Sequence, residues 1–187
     1  MKKIKLAIID KDGTITETVS GATFVQSPTD QKLIDGVQPA IAKLVSEGYT
    51  LAIASNQGGV AAGHKSLKDA IAEMDYCLSL LPEIEYGLIC PDFKGERCWQ
   101  ITREAHIPRI EITEENLVVN TGLIRFPSSE IIGKCRKPES GMLKLAITIS
   151  AGVSDYEAIM IGDRPEDEQA AHNAQIPFIH AKDWWIK

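Results

Sequence analysis

The sequence predicts an α/β fold: a parallel β-sheet covered by helices on both faces. Three observations predict it. Short apolar runs at 4–9, 49–54, 84–89, 158–161 and 177–179 have the length of buried strands. Helix-period segments at 37–47, 66–81, 140–149 and after Pro165 alternate with them, as in βαβ units. Asp10, Asp12, Ser55 and Asp163 all fall at strand carboxyl ends, where such sheets bind ligands.

The first strand, Ile-Lys-Leu-Ala-Ile-Ile at 4–9, runs into Asp10-Lys11-Asp12-Gly13-Thr14. Side chains two apart on an extended chain point the same way, so Asp10 and Asp12 are expected to converge. Carboxylates that close need a proton or a cation between them. Gly13 allows a sharp turn, and a plain Asp-Gly turn is the alternative. Residues 15–36 are polar, with Ser20-Gly21, Ser27-Pro28 and Asp35-Gly36 as breakers. They are too few for an inserted domain and enough for a flap.

The helix at 37–47 places Val37, Ile41, Leu44 and Val45 on one face, with Pro39 in its first turn and Gly48 closing it. Strand 49–54 leads into Ser55-Asn56-Gln57-Gly58-Gly59. Over 66–81, Leu67, Ile71, Met74, Leu78 and Leu81 mark one helical face. After strand 84–89, residues 92–134 break the rhythm and read as an insertion, with one candidate strand at 117–119. The helix at 140–149 turns Met142, Leu143, Ala146 and Ile147 inward. Trp184 and Trp185 are placed to dock the tail on the core, with an interface as the alternative use.

At 187 residues the chain has the length of one domain, 1–187, with flap 15–36 and insertion 92–134. A net charge of −6 excludes a protein that coats nucleic acid by general basicity. Residues 94–137 nonetheless carry eight basic against six acidic side chains, +2, which suits a polyanionic substrate or an ordinary mixed-charge loop. The apolar run after Lys2-Lys3 ends at Asp10, too early for a signal peptide, and no run approaches membrane-spanning length. A cytoplasmic setting is expected, where the four cysteines serve as thiols or metal ligands. His64, His172 and His180 are expected at the surface or at helix ends.

Three acidic groups, Asp10, Asp12 and Asp163, make a hard oxygen site suited to Mg²⁺. A carboxylate can also attack phosphorus and form an aspartyl-phosphate, given donors and positive charge around the transferred group. Ser55 and Asn56 offer hydroxyl and amide donors, with Gly58-Gly59 allowing close approach. Arg136-Lys137 before a helix adds a guanidinium and an ammonium. A plain loop and a solvated helix entry are the bland alternatives.

Together, Asp10-x-Asp12-Gly-Thr, Ser55 after an apolar strand, Lys137 before a helix and Gly162-Asp163-x-x-x-Asp167 resemble the four motifs of the haloacid dehalogenase superfamily, over almost the whole chain. The resemblance implies a Rossmann-like, doubly wound sheet with a small loop insertion rather than a large cap. It implies a Mg²⁺-dependent phosphatase in which Asp10 is the nucleophile and Asp12 the general acid, then base. Ser55, Asn56 and Lys137 would hold the phosphoryl group, and Arg136 would bind substrate. Asp10, Asp163 and the Asp12 carbonyl would ligate Mg²⁺, with Asp167 in or near the layer behind these ligands.

Ser55-Asn-Gln-Gly-Gly and Arg136-Lys-Pro-x-x-Gly-Met142 resemble the subgroup of histidinol-phosphatases, heptose-bisphosphate phosphatases and polynucleotide 3′-phosphatases. Thr18-x-Ser20-Gly21-x-x-Phe24 and Ile176-Pro-Phe178 are similar to the last of these. The compact Gly162-Asp163-Arg164-x-x-Asp167 is more like the small-metabolite enzymes. The implied partner is a small phosphorylated substrate or a nucleic-acid 3′ end, with no membrane and no obligate protein partner.

In the small-metabolite enzymes, a Cys-x-His, a second cysteine and a cysteine just before Arg-Lys-Pro bind zinc; here Cys90, Cys98 and Cys135 match, with Asp92 where the histidine would be and 36 residues between Cys98 and Cys135. A structural Zn²⁺ completed by Asp92 or His106 and an apolar thiol cluster are the two alternatives. A phosphate-binding or regulatory domain without turnover is the competing function of another class, although all four motif positions are filled. Transfer to an acceptor other than water is a third, and the absence of a large cap favours hydrolysis.

Overall fold

A computed structural model describes residues 3–103, 110–113, 115 and 126–186. Strand β1 (Ile4–Ile9) is the centre of the main sheet, with its last four residues buried on both faces. It pairs in parallel with β4 (Tyr49–Asn56) on one side and β8 (Tyr156–Gly162) on the other. Strands β5 (Tyr86–Cys90) and β9 (Phe178–His180) extend the parallel set outward. Beyond β5, the short strands β6 (Trp99–Thr102) and β7 (Ile110–Glu111) add antiparallel. The order is β7-β6-β5-β4-β1-β8-β9. The chain leaves β1 first to one side and later returns to the other, so β1 and its neighbours frame a switch point where the loops diverge and a ligand can enter.

Alternation along β1 builds two cores. Leu6 and Ile8 face a layer with Ala52, Ala54, Met160 and the helices α3 (Gly141–Ala151) and α4 (Pro165–Ala174). Ala7 and Ile9 face Leu51, Ile53 and the helices α1 (Val37–Ser46) and α2 (Leu67–Leu80). A sheet covered on both faces needs continuously apolar strands, which is what the sequence offers. Helix α2 starts on a reciprocal cap: Ser66 Oγ accepts from the Asp69 N–H, and Asp69 accepts from the Ser66 N–H, both at 3.1 Å.

The flap is tied at its base by a short antiparallel pair, β2 (Thr16–Glu17) with β3 (Lys32–Leu33). Asp30 orders its tip, accepting from the Ser20 N–H at 2.7 Å, the Ser20 hydroxyl at 2.8 Å and the Gln26 N–H at 3.1 Å. The tail docks as expected. Trp184 is buried beside α5 (Ala181–Trp184), and the Trp185 indole N–H donates to the Thr14 carbonyl at 2.9 Å. His64 and His172 are exposed, and His180 caps α5. Strands β6 and β7 were not expected within 92–134; the candidate strand at 117–119 lies outside the described residues. Among the described residues no helix is long and apolar enough to cross a membrane.

The start of α3 lies hard against the segment that delivers Arg136 and Lys137. The Gly141 N–H donates to the Lys134 carbonyl at 2.8 Å. A Cβ on Gly141 would press into that same carbonyl and come within 2.6 Å of the Ile131 carbonyl. Backbone cannot yield as a side-chain tip can. Gly141→Ala should therefore cost about 1–3 kcal/mol of stability, seen in chemical denaturation, and should weaken phosphate binding by displacing Lys137. A variant as stable as the parent would show that this approach is looser than the geometry indicates.

Candidate active site

Each candidate group sits where β1, β4 or β8 ends, or on the loop and helix that cross those ends. Asp10 directly follows β1 and is pinned to β8 by its N–H, which donates to the Ile161 carbonyl at 2.8 Å. Its carboxylate is buried and accepts from Lys137 Nζ at 2.6 Å. Lys137 is itself buried and spends all three ammonium donors: on Asp10, on Asp167 at 2.6 Å and on the Ala54 carbonyl at 2.7 Å. Burial alone would lower the Lys137 pKa, but Asp10 and Asp167 outweigh it and hold the pKa above the ordinary value. For Asp10 burial wins. Desolvation pushes its pKa up to about 6, helped by Asp167 and Asp12 and opposed by Lys137.

Asp163 completes the cluster after Gly162. Its carboxylate accepts from the Thr14 hydroxyl at 3.2 Å and lies 2.6 Å from where a Cβ on Gly13 would stand. Gly13, at φ +88°, gives the turn both its left-handed backbone and the space for Asp163. Asp167 accepts from the Arg164 N–H at the start of α4, at 3.1 Å. Ligand oxygens of Asp10, Asp163 and Asp167 lie within 4.8 Å of one another. Three carboxylates against one ammonium leave a net −2 when all are ionised, from hard oxygen donors, which fits a divalent cation such as Mg²⁺.

Asp12 is not in that cluster. Its carboxylate is near enough to Asp10 to help raise the Asp10 pKa, and is held by Lys11 on one oxygen and by the Gln57 side-chain amide on the other, at 3.1 Å. Ser55 is buried, and its Oγ accepts from Gln57 Nε2 at 2.9 Å, which leaves its proton free to be donated. The Asn56 side chain reaches the Lys137 backbone: its amide donates to the Lys137 carbonyl at 2.9 Å and its oxygen accepts from the Lys137 N–H at 3.0 Å. It aims the lysine. Arg136 stands over the Phe93 ring, 5.3 Å from its centroid, beside Gly58, and makes no ion pair among the described residues.

Sequence reasoning passed over Lys11 and Gln57. The available signal was alternation. If Asp10 and Asp12 face the site, Lys11 faces the core, and a lysine directed into a core must find an anion. Burial alone would lower its pKa, but Asp12 and the other acidic groups around it raise it instead.

The zinc expectation is corrected. Cys90, Cys98 and Cys135 are buried thiols that, with the described residues, do not assemble a zinc set; the cluster just given is the one metal-ligand group found among those residues. Cys135 donates to the Ile131 carbonyl at 3.3 Å and Cys90 to the Asp92 carbonyl at 3.4 Å. Burial pushes the Cys90 thiol up to about 12. Asp92 is occupied elsewhere, accepting from the backbone N–H groups of Lys94, Glu96 and Arg97 at 2.8, 3.1 and 2.9 Å. His106 lies outside the described residues.

A buried aspartate at the end of the central strand, an ammonium on it and a divalent-cation cluster around it define a phosphatase of the haloacid dehalogenase superfamily. The family model for polynucleotide kinase 3 phosphatase matches residues 5–176, and the chain belongs to that family. It is 30% identical over 178 residues to a D-glycero-β-D-manno-heptose-1,7-bisphosphate 7-phosphatase of Photorhabdus laumondii, covering 92% of this chain and 77% of that one. The enzyme of the same name from Haemophilus influenzae is 27% identical over 172 residues, covering 92% and 78%. The solved D,D-heptose 1.7-bisphosphate phosphatase from B. bronchiseptica, complexed with magnesium and phosphate, shares the fold with a TM-score of 0.58 at 23% identity, covering 95% of this chain and 79% of that one.

Protons and metal compete for Asp10. Without metal its folded pKa of about 6 lies above the ordinary value of 3.8, so its ionisation costs stability as pH rises between those values. A divalent cation held by this carboxylate would bind its ionised form. The Mg²⁺-dependent gain in Tm should therefore grow as pH rises through about 6 and shrink below it. A gain independent of pH would place the cation away from Asp10.

Proposed function

We propose that this phosphatase is a Mg²⁺-dependent phosphomonoesterase that works through an aspartyl-phosphate on Asp10. The observation that carries the reading is the Asp10–Lys137 contact inside a three-carboxylate cluster. An Asp10 carboxylate oxygen attacks phosphorus, and the bond from phosphorus to the leaving oxygen breaks. That oxygen takes a proton from Asp12. Water then attacks the phosphorus of the aspartyl-phosphate, Asp12 takes its proton, and inorganic phosphate departs with Asp10 regenerated.

The Ser55 hydroxyl supplies a donor to the phosphoryl oxygens, and Lys137, whose three donors are taken in the free protein, supplies positive charge beside them and reaches a phosphoryl oxygen by giving up a carboxylate contact. Asn56 supports the role of Lys137 by fixing its backbone. Asp10, Asp163 and the Asp12 carbonyl, with Asp167 beside them, would hold Mg²⁺, which would supply charge neutralisation for the transferred group.

The heptose-bisphosphate relatives support a small phosphorylated sugar as substrate. A nucleic-acid 3′ end is the second reading, supported by the family description and by an exposed Phe93 under Arg136. Four cysteines without disulfides are consistent with a cytoplasmic setting.

Asp10→Asn should keep the fold by circular dichroism and lose turnover of aryl and sugar phosphates by several orders of magnitude. Loss of a covalent nucleophile has that scale. Asp12→Asn should retain phosphate binding and cripple both half-reactions. An Asp10→Asn protein that turns over at a tenth of the parent rate, free of contaminating activity, would remove Asp10 from the nucleophile role.

A further inference from the structure

Six residues beside the site form a hydrogen-bonded ring that closes through the backbone of one of them, Glu73. Lys11 Nζ donates to Asp12 Oδ1 and, at 2.8 Å, to Gln31 Oε1. Gln31 Nε2 donates to the Glu73 carbonyl at 3.1 Å. The Glu73 carboxylate accepts from Lys65 Nζ at 2.6 Å, and Lys65 also donates to Gln57 Oε1 at 3.1 Å. Gln57 Nε2 returns to Asp12 Oδ2 at 3.1 Å. The members come from the loop after β1, the flap, the loop after β4, the entry to α2 and α2 itself. Two ammonium groups and two carboxylates make the ring neutral, so burying it leaves no uncompensated charge.

The ring fixes direction as well as charge. Lys65 only donates, so the Gln57 oxygen must face it and the Gln57 N–H must face Asp12. Lys11 only donates too, so the Gln31 oxygen faces Lys11, and its N–H groups reach the Pro28 and Glu73 carbonyls. Neither amide can flip without breaking a contact to an ammonium. Asp12 therefore has a donor fixed on each oxygen. Lys11, Gln31, Gln57 and Glu73 are buried, whereas the Asp12 side chain is 39% exposed. An exposed carboxylate without such anchors would sample several rotamers.

We propose that Lys11 and Gln57 are positioning residues for Asp12, aiming its carboxylate at the water that hydrolyses the aspartyl-phosphate, and that Gln31 makes this aim depend on the seating of the flap. The proposal rests on the two-step reading above and concerns its second step. There, one O–H bond of water breaks, its proton goes to Asp12, and the new oxygen–phosphorus bond displaces Asp10. Loss of either anchor slows this step and leaves attack by Asp10 on an activated ester nearly untouched.

The test uses 4-nitrophenyl phosphate, whose leaving group needs little help from an acid. With this substrate kcat/KM reports only the steps through phosphoryl transfer. Lys11→Met and Gln57→Leu should lower kcat at least about tenfold, a part of what proton transfer contributes. They should lower KM in proportion and give a nitrophenolate burst approaching one equivalent per site. Lys11→Arg should recover much of kcat. Gln31→Leu, which leaves both Asp12 anchors in place, should show the same pattern more weakly and covers the case in which a buried-lysine variant fails to fold. Equal falls in kcat and kcat/KM, or no change in either, would overturn the proposal. A parent enzyme that turns over no phosphoester would instead remove the two-step reading, and this inference with it.

Discussion

One buried ammonium holds the site together. Lys137 Nζ is out of water and is repaid by three acceptors from three parts of the chain: Asp10 after β1, Asp167 on α4 and the Ala54 carbonyl in β4. Desolvating a lysine costs several kcal/mol, and only close to complete pairing offsets it. The arrangement is also restrictive, because removing Lys137 would leave two buried carboxylates facing each other. This explains the effort spent on its backbone. Asn56 grips both peptide groups of Lys137, and Gly141 lets α3 begin directly against Lys134. The phosphate end of the site is rigid because its charge must be.

The loop ahead of Lys137 solves a related problem without a metal. Residues 91–98 must turn sharply from β5 into β6 and still contact residue 135. Asp92 takes three backbone N–H groups on its two oxygens, and the Cys135 N–H donates to the Gly95 carbonyl at 3.0 Å. Gly95, at φ +76°, lies so close that a Cβ there would approach the Arg136 nitrogen to 2.9 Å. The carboxylate organises the turn locally, and the three thiols fill the space beneath as small apolar groups. Arg136 then emerges at the lip against Phe93. Spacing alone could not separate this from a zinc clip, since cysteine positions do not say where the Asp92 carboxylate points.

What was legible follows from the same physics. Strands β1, β4, β5 and β8 are apolar on both faces and stood out as short continuous runs. Helix α2 stood out by its period. Site residues at strand ends were legible because a parallel sheet brings its carboxyl ends to one edge. Strand β6 was not, being a four-residue antiparallel addition with one buried residue, too short for a period. Asn56 was identified as part of the site but not for its task, since only the fold brings it to Lys137. Lys11 was missed because a charged residue between two functional ones passes for a spacer.

The two aspartates of Asp10-x-Asp12 show how one short motif separates two chemical roles. Both leave the same strand, yet their surroundings differ in kind. Asp10 lies among like charges with one ammonium, a site left at net −2 that calls for a cation. Asp12 lies in a neutral ring that already holds its charge and needs nothing further. A cation drawn to the first keeps the nucleophile ionised. The second keeps its carboxylate aimed while staying open to solvent, as a group that must exchange protons requires. Pushing two nearby carboxylates into unlike environments is a general means of dividing nucleophile from acid–base. Here the divider is Lys11, the residue between them, whose side chain turns into the core and holds the Asp12 carboxylate by one oxygen.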